Sequence, residues 1–196
     1  MEVNAKVNYG NLKSLIKEMS KQYSVKVGIL ANSGGSDEVS ENMDMAGLGY
    51  LHEYGCDIKI TPKMAAYLHY KAEELGLPPS EGKGDGYIHI PARSWLQMPI
   101  LSAEGTKAIK NAVRENISND KELNEYIFKN NPQIVKIIAK AIGAAAFLRI
   151  LEAFETDGFG EWPANSPYTV AQKGSAMPMV DTGSLKRSIT YEVEER

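Results

Sequence analysis

The feature that most constrains the fold is a long apolar stretch between residues 134 and 154. Four charged side chains interrupt it: Lys136, Lys140, Arg149 and Glu152. Because they divide it into short uncharged pieces, the stretch lacks the composition of a membrane span. Asn131-Pro132 is a helix start signal, so the pattern predicts a helix from there to about Glu155. At 1.5 Å per residue this helix is about 36 Å long.

Apolar side chains occupy more than half of the circumference of this helix, so two of its sides must be covered. One side can face a sheet of the same domain. The other needs either neighbouring helices or another subunit. Gly143 and the three alanines that follow it allow another element to approach the helix closely.

Period-2 alternation predicts a strand near each end of the chain. The alternating apolar residues are Val25, Val27 and Ile29 in the first strand, and Ile189, Tyr191 and Val193 in the second. The last strand must join the sheet formed earlier, by antiparallel or mixed pairing.

Between these strands, residues 57–60 and Tyr87–Ile90 indicate two short strands around a helical insertion. Thr61 and Pro62 supply the N-cap and the first position of that helix, and Gly76 ends it. Apolar stripes predict further helices at residues 12–19, where Asn11 is the cap, and at 109–117 and 123–128.

Together these patterns predict an α+β fold, with a small antiparallel or mixed β-sheet packed against long α-helices and with extended loops. We expect a single domain over residues 1–196. It carries a flexible acidic insertion at about 31–47, a helical insertion at about 61–76 and a long loop at about 159–183. The acidic insertion is either a solvated surface segment or a binding arm that orders on assembly.

Composition excludes some classes of function. The chain has 22 basic and 25 acidic side chains, a net charge of -3, so nothing in it favours specific binding of nucleic acid. Cys56 is the only cysteine, so no disulfide can form within the chain. Residues 1–10 lack the apolar segment of a secretion signal. These features predict a reduced, cytosolic compartment and no membrane partner.

Residues 179–184 match the catalytic loop of aspartic proteases, with Asp181 in the place of the reactive carboxylate. Such enzymes need two carboxylates that share a proton within a β-rich fold. Only 13 residues follow Gly183, and the chain has no second Asp-Thr-Gly. Asp181 is therefore expected to be an N-cap or turn residue, followed by a glycine with an unusual backbone angle. A hydrolase that uses Asp181 remains an alternative function.

No motif for a metal or a cofactor is present. His52 and Cys56 are four residues apart, and the remaining imidazoles of His69 and His89 are scattered, so a closed zinc site is not expected. The glycine-rich segments lack the Lys-Ser/Thr or the strand-to-helix context of a phosphate-binding loop. We expect no catalytic residue, no metal and no cofactor.

Two further sets of residues are candidates for structural or binding roles. Glu53 and Arg93 both lie at the ends of short strand-like segments, and we expect an ion pair between them that holds the ends of the sheet together. The alternative is that either residue contacts a partner. In the loop at 159–183, we expect the apolar side chains to be buried, either against their own domain or against another subunit. These candidate partner contacts are Trp162, Pro163, Tyr168 and Met177.

Four segments together resemble the virion morphogenesis proteins of tailed phages, a family of tail-completion or neck proteins. They are LHEYG at 51–55, ITPKM at 60–64, IHIPARSWL at 88–96 and VDTGSLKRSI at 180–189, in the order of the family. The structural residues that match the family are Glu53, Gly55, Pro91, Arg93, Asp181 and Gly183. Trp95 departs from the family, which more often has Phe there.

The resemblance implies an α+β fold with an antiparallel sheet against long helices, and no catalytic residue or cofactor. It implies a structural protein of a phage or prophage that acts in head-to-tail joining or tail completion. We expect a homo-oligomeric ring that contacts other neck or tail proteins, with the long helix and the 159–183 loop supplying contacts. The protein would be in the bacterial cytoplasm during assembly and then in the virion. A nucleic-acid-binding accessory protein is the other alternative.

Overall fold

A computed structural model describes residues 17, 22–31, 38–40, 43–78, 86–120 and 133–196. In chain order its elements are β1 (Tyr23–Ile29), β2 (Glu38–Ser40), β3 (Met43–Asp44), α1 (Met45–Tyr54), β4 (Cys56–Lys59), α2 (Pro62–Glu74), β5 (Tyr87–Ile90), α3 (Gln97–Leu101), α4 (Ala103–Asn119), α5 (Gln133–Glu155), α6 (Pro167–Lys173), α7 (Ser184–Arg187) and β6 (Ile189–Glu195). The predicted α+β class is confirmed. None of the helices in these residues is long and apolar enough to cross a membrane.

The first and last strands pair with each other. β1 and β6 are antiparallel, and the register places Val25 opposite Val193 and Ile29 opposite Ile189. The two alternating sequences therefore share one apolar face. The described residues form three separate two-stranded sheets, β1-β6, β2-β3 and β4-β5, and not the single sheet that the sequence suggested.

Helix α5 forms the centre of the core. It contacts β1 and β6 on one side and α4 and α3 elsewhere. Its fully buried side chains include Ile138, Ile150 and Phe154, and burial of each such side chain stabilises the fold by about 1.5–3 kcal/mol. A Cβ on Gly143 would lie 2.4 Å from the ring of Tyr191, so this glycine allows α5 to approach β6 closely.

This arrangement decides between the two covers that were possible for the long helix. The described part of the chain itself supplies both the sheet side and the helix side of α5. That α5 also supplies contacts to another subunit stays a prediction. Its outward positions are Lys136, Lys140, Leu148, Glu152 and Glu155. Four of these five side chains are charged, which is typical of a solvated helix face.

The strands β4 and β5 and the helix α2 between them form a projecting unit that we call the arm (residues 56–78 and 86–90). β4 and β5 are antiparallel, with Cys56 opposite Ile90. The hydroxyl of Thr61 caps α2 by accepting a hydrogen bond from the amide of Met64 at 3.3 Å, and Pro62 stands at the first position, as predicted. Helix α2 buries none of its residues.

Two helices were not predicted from the sequence, and they overlap the acidic insertion expected at about 31–47 and the loop expected at about 159–183. Helix α1 begins at Met45, and the carboxylate of Asp44 caps it by accepting a hydrogen bond from the amide of Gly47 at 2.7 Å. Helix α6 lies in the 159–183 loop, where Ser166 is the N-cap and Pro167 the first residue. The helices predicted at 12–19 and 123–128 fall outside the described residues, apart from Lys17, which is helical.

Candidate functional site: a cleft beside Arg93

A cleft of about 940 Å³ opens between α1, β5, α6 and the turn before α7. Its walls include Met45, Leu48, His52, Ile88, Ile90, Pro91, Arg93, Lys173, Met179, Asp181, Gly183 and Leu185. Four of the residues singled out from the sequence, at positions 91, 93, 181 and 183, are thus brought to one place. The other two, Glu53 and Gly55, lie at the end of α1, next to His52 in the cleft wall.

The carboxylate of Glu53 holds the start of α3 in place behind the cleft. Its side chain is 6% exposed. The carboxylate accepts hydrogen bonds from the hydroxyl of Ser94 at 2.6 Å and from the backbone amides of Leu96 at 2.9 Å and Gln97 at 3.1 Å. These amides lie at the N-terminus of α3, where no helical carbonyl is available to accept from them. A carboxylate at this position also interacts favourably with the helix dipole.

Arg93 binds a different part of the chain, so the ion pair expected between Glu53 and Arg93 is wrong. Nε of Arg93 donates to the carbonyl of Pro163 at 2.8 Å, and Nη2 donates to the carbonyl of Ala164 at 3.1 Å and to Oδ1 of Asn165 at 3.3 Å. The planar guanidinium thus holds the loop after α5 in place. Both charged side chains form hydrogen bonds within the chain, but their partners are neutral groups and they do not contact each other as an ion pair.

Gly55 joins α1 to the arm in a backbone conformation that is sterically unfavourable for residues with a Cβ atom. Its φ is 72° and its ψ is 171°, and its amide donates to the carbonyl of Leu51 at 2.8 Å. A Cβ on Gly55 would lie 2.6 Å from the carbonyl oxygen of Ile90. Close by, the amide of Arg93 donates to the carbonyl of His52 at 2.8 Å. The end of α1 and the chain after β5 are therefore in backbone contact.

The turn at Asp181 has an ordinary structural explanation. Gly183 has a φ of 77° and occupies the N-cap position of α7, as expected for a glycine at a turn. The hydroxyl of Thr182, not the carboxylate of Asp181, accepts the hydrogen bond from the amide of Ser184 at 3.3 Å. Asp181 is exposed, and it is the only carboxylate among the described residues that line the cleft. A second carboxylate of the kind that an aspartic protease needs is not beside it there.

His52 and Lys173 are site residues that the sequence did not indicate as a pair. Nδ1 of His52 is buried and has no hydrogen-bond partner within the described chain. Burial, followed by the positive charges of Arg93 and Lys173, lowers the pKa of His52 below its usual 6.5. Nζ of Lys173 donates to the carbonyl of Met177 at 3.0 Å. No sequence spacing could reveal this grouping, because residues 52, 93 and 173 meet only through the tertiary fold.

The candidate partner contacts divide into two kinds. Trp162 is 7% exposed, its ring lies 5.4 Å from that of Phe154, and its Nε1 donates to the carbonyl of Ser94 at 3.3 Å. Trp162 is therefore buried against its own domain, which corrects the prediction that it contacts a partner. Pro163 is exposed, Met177 is 39% exposed and Tyr168 is half-buried, so these three retain surface that a partner could reach.

Ser94 was also missed, although a sequence signal for it exists. It donates to Glu53, and its hydroxyl accepts a hydrogen bond from the amide of Met98 at 2.9 Å. The Ser-x-x-Gln spacing from Ser94 to Gln97 is that of a helix capping box and predicts a helix start nearby. The N-cap of α3 is nevertheless Leu96, and the side chain of Gln97 donates to the hydroxyl of Tyr54, so the box itself does not form.

Replacement of Glu53 tests the role of its carboxylate. We expect Glu53→Gln to lower the free energy of unfolding by about 2 kcal/mol, because an NH2 donor replaces one of the two carboxylate oxygens that accept from the backbone amides of α3. Urea unfolding measures the change. The matched control is Glu155→Gln, which removes an exposed ion pair with Lys186 (2.9 Å) and should cost less than about 0.5 kcal/mol. Equal effects of the two substitutions would contradict this role.

His52 predicts a pH dependence of stability. Since its folded pKa lies below the unfolded value of 6.5, only the unfolded chain takes up the proton as the pH falls below 6.5. The contribution of neutral His52 is therefore complete above pH 6.5 and is lost as the pH decreases toward the folded pKa. We expect His52→Gln to flatten the stability curve between pH 7 and 5 in urea unfolding. Replacement of the exposed His69 by Gln is the control, and a curve unchanged by His52→Gln would refute the prediction.

Within the described residues, no three His, Cys, Asp or Glu side chains are grouped as ligands of a metal ion would be. Comparison of the chain with protein-family models, with curated proteins and with solved structures found no match.

Proposed function

We propose that this chain is a structural protein of a tailed phage or prophage that acts in head-to-tail joining or tail completion through protein–protein contacts. The observation that carries the proposal is a set of exposed tyrosines on α1 and the arm. They are Tyr50 (69% exposed), Tyr54 (52%), Tyr67 (56%), Tyr70 (63%) and Tyr87 (44%). Tyrosine is enriched at the centres of protein interfaces, where it contributes a large contact area and a hydroxyl.

The roles of the residues that resemble the phage family support this function. Glu53 forms hydrogen bonds to helix α3, and Arg93 forms hydrogen bonds to the loop after α5. Both side chains therefore stabilise the fold, which fits a structural role better than a catalytic one. The membership itself stays a prediction that rests on the four sequence segments.

The arm is the part of the described chain best placed for such contacts. Tyr67 and Tyr70 are three residues apart on α2, on the same side of a helix that buries none of its residues. An apolar surface of this kind on a projecting element favours binding of another protein chain over solvation. We therefore place the contacts on the arm and not on the exposed face of α5, where four of five side chains are charged.

Native mass spectrometry of the purified protein at several concentrations tests the self-association. We expect a concentration-dependent oligomer, and a loss of about tenfold or more in its association constant when Tyr67 and Tyr70 are both replaced by Ser. Leu148→Ser is the matched control, because Leu148 is 61% exposed on α5, outside the arm. Equal oligomer populations for the wild type and the double variant would remove the arm from the proposal.

Electron microscopy of particles that lack the gene tests the role in the virion. Particles with separated or incomplete heads and tails are the expected result, and infectious particles with normal joints would overturn the proposal. Complementation with Asp181→Asn addresses the hydrolase alternative, since normal particles from this variant are expected only if Asp181 has no reactive role.

A further inference from the structure

The cleft holds two cationic side chains that form no ion pair with a described residue. Arg93 is 6% exposed, and its three hydrogen bonds go to neutral oxygen atoms of residues 163–165. Lys173 donates to one neutral carbonyl, that of Met177. Within the described chain neither side chain forms an ion pair, and Nη1 of Arg93 has no acceptor. Both cations keep N–H groups that an incoming anion can use.

A partly buried charge without a counter-ion is unfavourable, and hydrogen bonds to neutral oxygens offset this only in part. Burial accordingly lowers the pKa of the Arg93 guanidinium. Burial, and then the positive charges of Arg93 and Lys173, lowers the pKa of His52, so both cations lie near this imidazole in the cleft wall. The single carboxylate of the wall, Asp181, makes no ion pair with a described residue and stays exposed.

The rest of the wall combines apolar side chains with the hydroxyl, amide and imidazole groups of other lining residues. Ile88 and Ile90 contribute the side chains of one face of β5, and Leu48, Met179 and Leu185 contribute others. A volume of about 940 Å³ is at the upper end of the range for ligand sites, about 300–1,000 Å³. An inorganic anion would fill little of this space and would leave the apolar wall in water. A peptide that carries a carboxylate next to an apolar side chain would use both parts.

We propose that the cleft binds an acidic peptide segment of a neighbouring protein, with a carboxylate between Arg93 and Lys173 and an apolar side chain against Ile88 and Ile90. The inference rests on the proposed function and specifies it, because it names the chemistry of a partner segment. Charge-assisted hydrogen bonds to Nη1 and Nζ supply the specificity, and the apolar contact supplies buried area.

Fluorescence anisotropy with a labelled acidic peptide tests the cleft directly. The probe is the nonapeptide SDEVSENMD, the sequence of residues 36–44, which carries four carboxylates and the apolar side chains of one Val and one Met. Its neutral counterpart has Asn and Gln in place of Asp and Glu. We expect the full-length protein to bind the acidic peptide about tenfold or more tightly than the neutral one, with an affinity that falls as salt is added.

Two substitutions in the cleft wall should change this affinity in opposite directions. Lys173→Gln removes a positive charge but keeps a donor for the Met177 carbonyl, and it should weaken binding about tenfold. Asp181→Asn removes the negative charge of the wall and should strengthen binding about threefold. Lys140→Gln, on the exposed side of α5, is the matched control and should leave the affinity unchanged.

Equal binding of the acidic and neutral peptides, or an unchanged affinity in Lys173→Gln, would overturn the inference. Displacement of the peptide by sodium acetate at the same carboxylate concentration would show a site for free anions, and it too would overturn the inference. The binding assay uses the isolated protein, so its failure beside defective particles in the gene deletion removes only the cleft. Normal particles in the deletion would instead remove the proposed function, whatever the assay shows.

Discussion

Substitution Gly55→Ala is expected to lower the free energy of unfolding by about 4 kcal/mol. The φ of 72° and ψ of 171° place this residue in a region that essentially only glycine adopts, where a side chain costs about 1–3 kcal/mol. The added Cβ would also lie 2.6 Å from the carbonyl oxygen of Ile90 and 2.7 Å from the amide nitrogen of Ala92. Both are backbone atoms, so α1 and the chain after β5 would have to separate.

The control for this prediction is Gly76→Ala, since Gly76 has a similar φ of 67° but no atom within 4 Å of the added Cβ. Its cost should be that of the backbone conformation alone, about 1 kcal/mol. Urea unfolding of both variants separates the steric term from the conformational one. If the two variants lose the same stability, the close contact between Gly55 and residues 90–92 does not exist in solution.

Trp162→Ala is expected to lower the free energy of unfolding by a similar amount, about 4 kcal/mol, because removal of a buried aromatic side chain leaves a cavity. Trp162 is 7% exposed and contacts Phe154 edge to face, with ring centroids 5.4 Å apart. Its Nε1 also loses the hydrogen bond to the carbonyl of Ser94. Chemical unfolding at a low protein concentration measures the loss.

Trp162→Phe is the companion variant, since it keeps an aromatic ring but not the indole N–H, and we expect it to lose about half as much stability. A residue that contacted a partner would give the opposite pattern. If the alanine variant unfolded like the wild type but associated more weakly in native mass spectrometry, Trp162 would be an interface residue and not a core residue.

Periodicity in the sequence predicted the elements whose apolar faces are regular. The alternation at Val25 and Val27 and the alternation near the other end of the chain predicted β1 and β6, and the structure pairs them directly. The start signal at Thr61 and Pro62 predicted α2 to within a residue of its observed beginning. Such patterns depend only on local geometry, because an element with one apolar face repeats with its own period.

Helix α1 shows where local patterns fail. Gly47 and Gly49 lower its helix propensity, and the acidic composition before it indicated a loop. The helix forms because Asp44 caps it and because Gly49 lets other parts of the core approach. A Cβ on Gly49 would lie 2.8 Å from Ile29 and 3.0 Å from the ring of Trp95. Packing between distant residues therefore outweighed the local preference.

By itself, the sequence determined the α+β class, the long central helix, the strands β1 and β6, and the importance of Glu53, Gly55, Arg93 and Gly183. Only the tertiary structure decided what these residues contact. Glu53 binds helix α3 and Arg93 binds residues 163–165, and the cleft that gathers Arg93, Lys173 and Asp181 has no counterpart in sequence spacing. The physical reason is that periodicity and capping act over a few residues, whereas hydrogen-bond partners and buried charges depend on which distant segments meet once the core is packed.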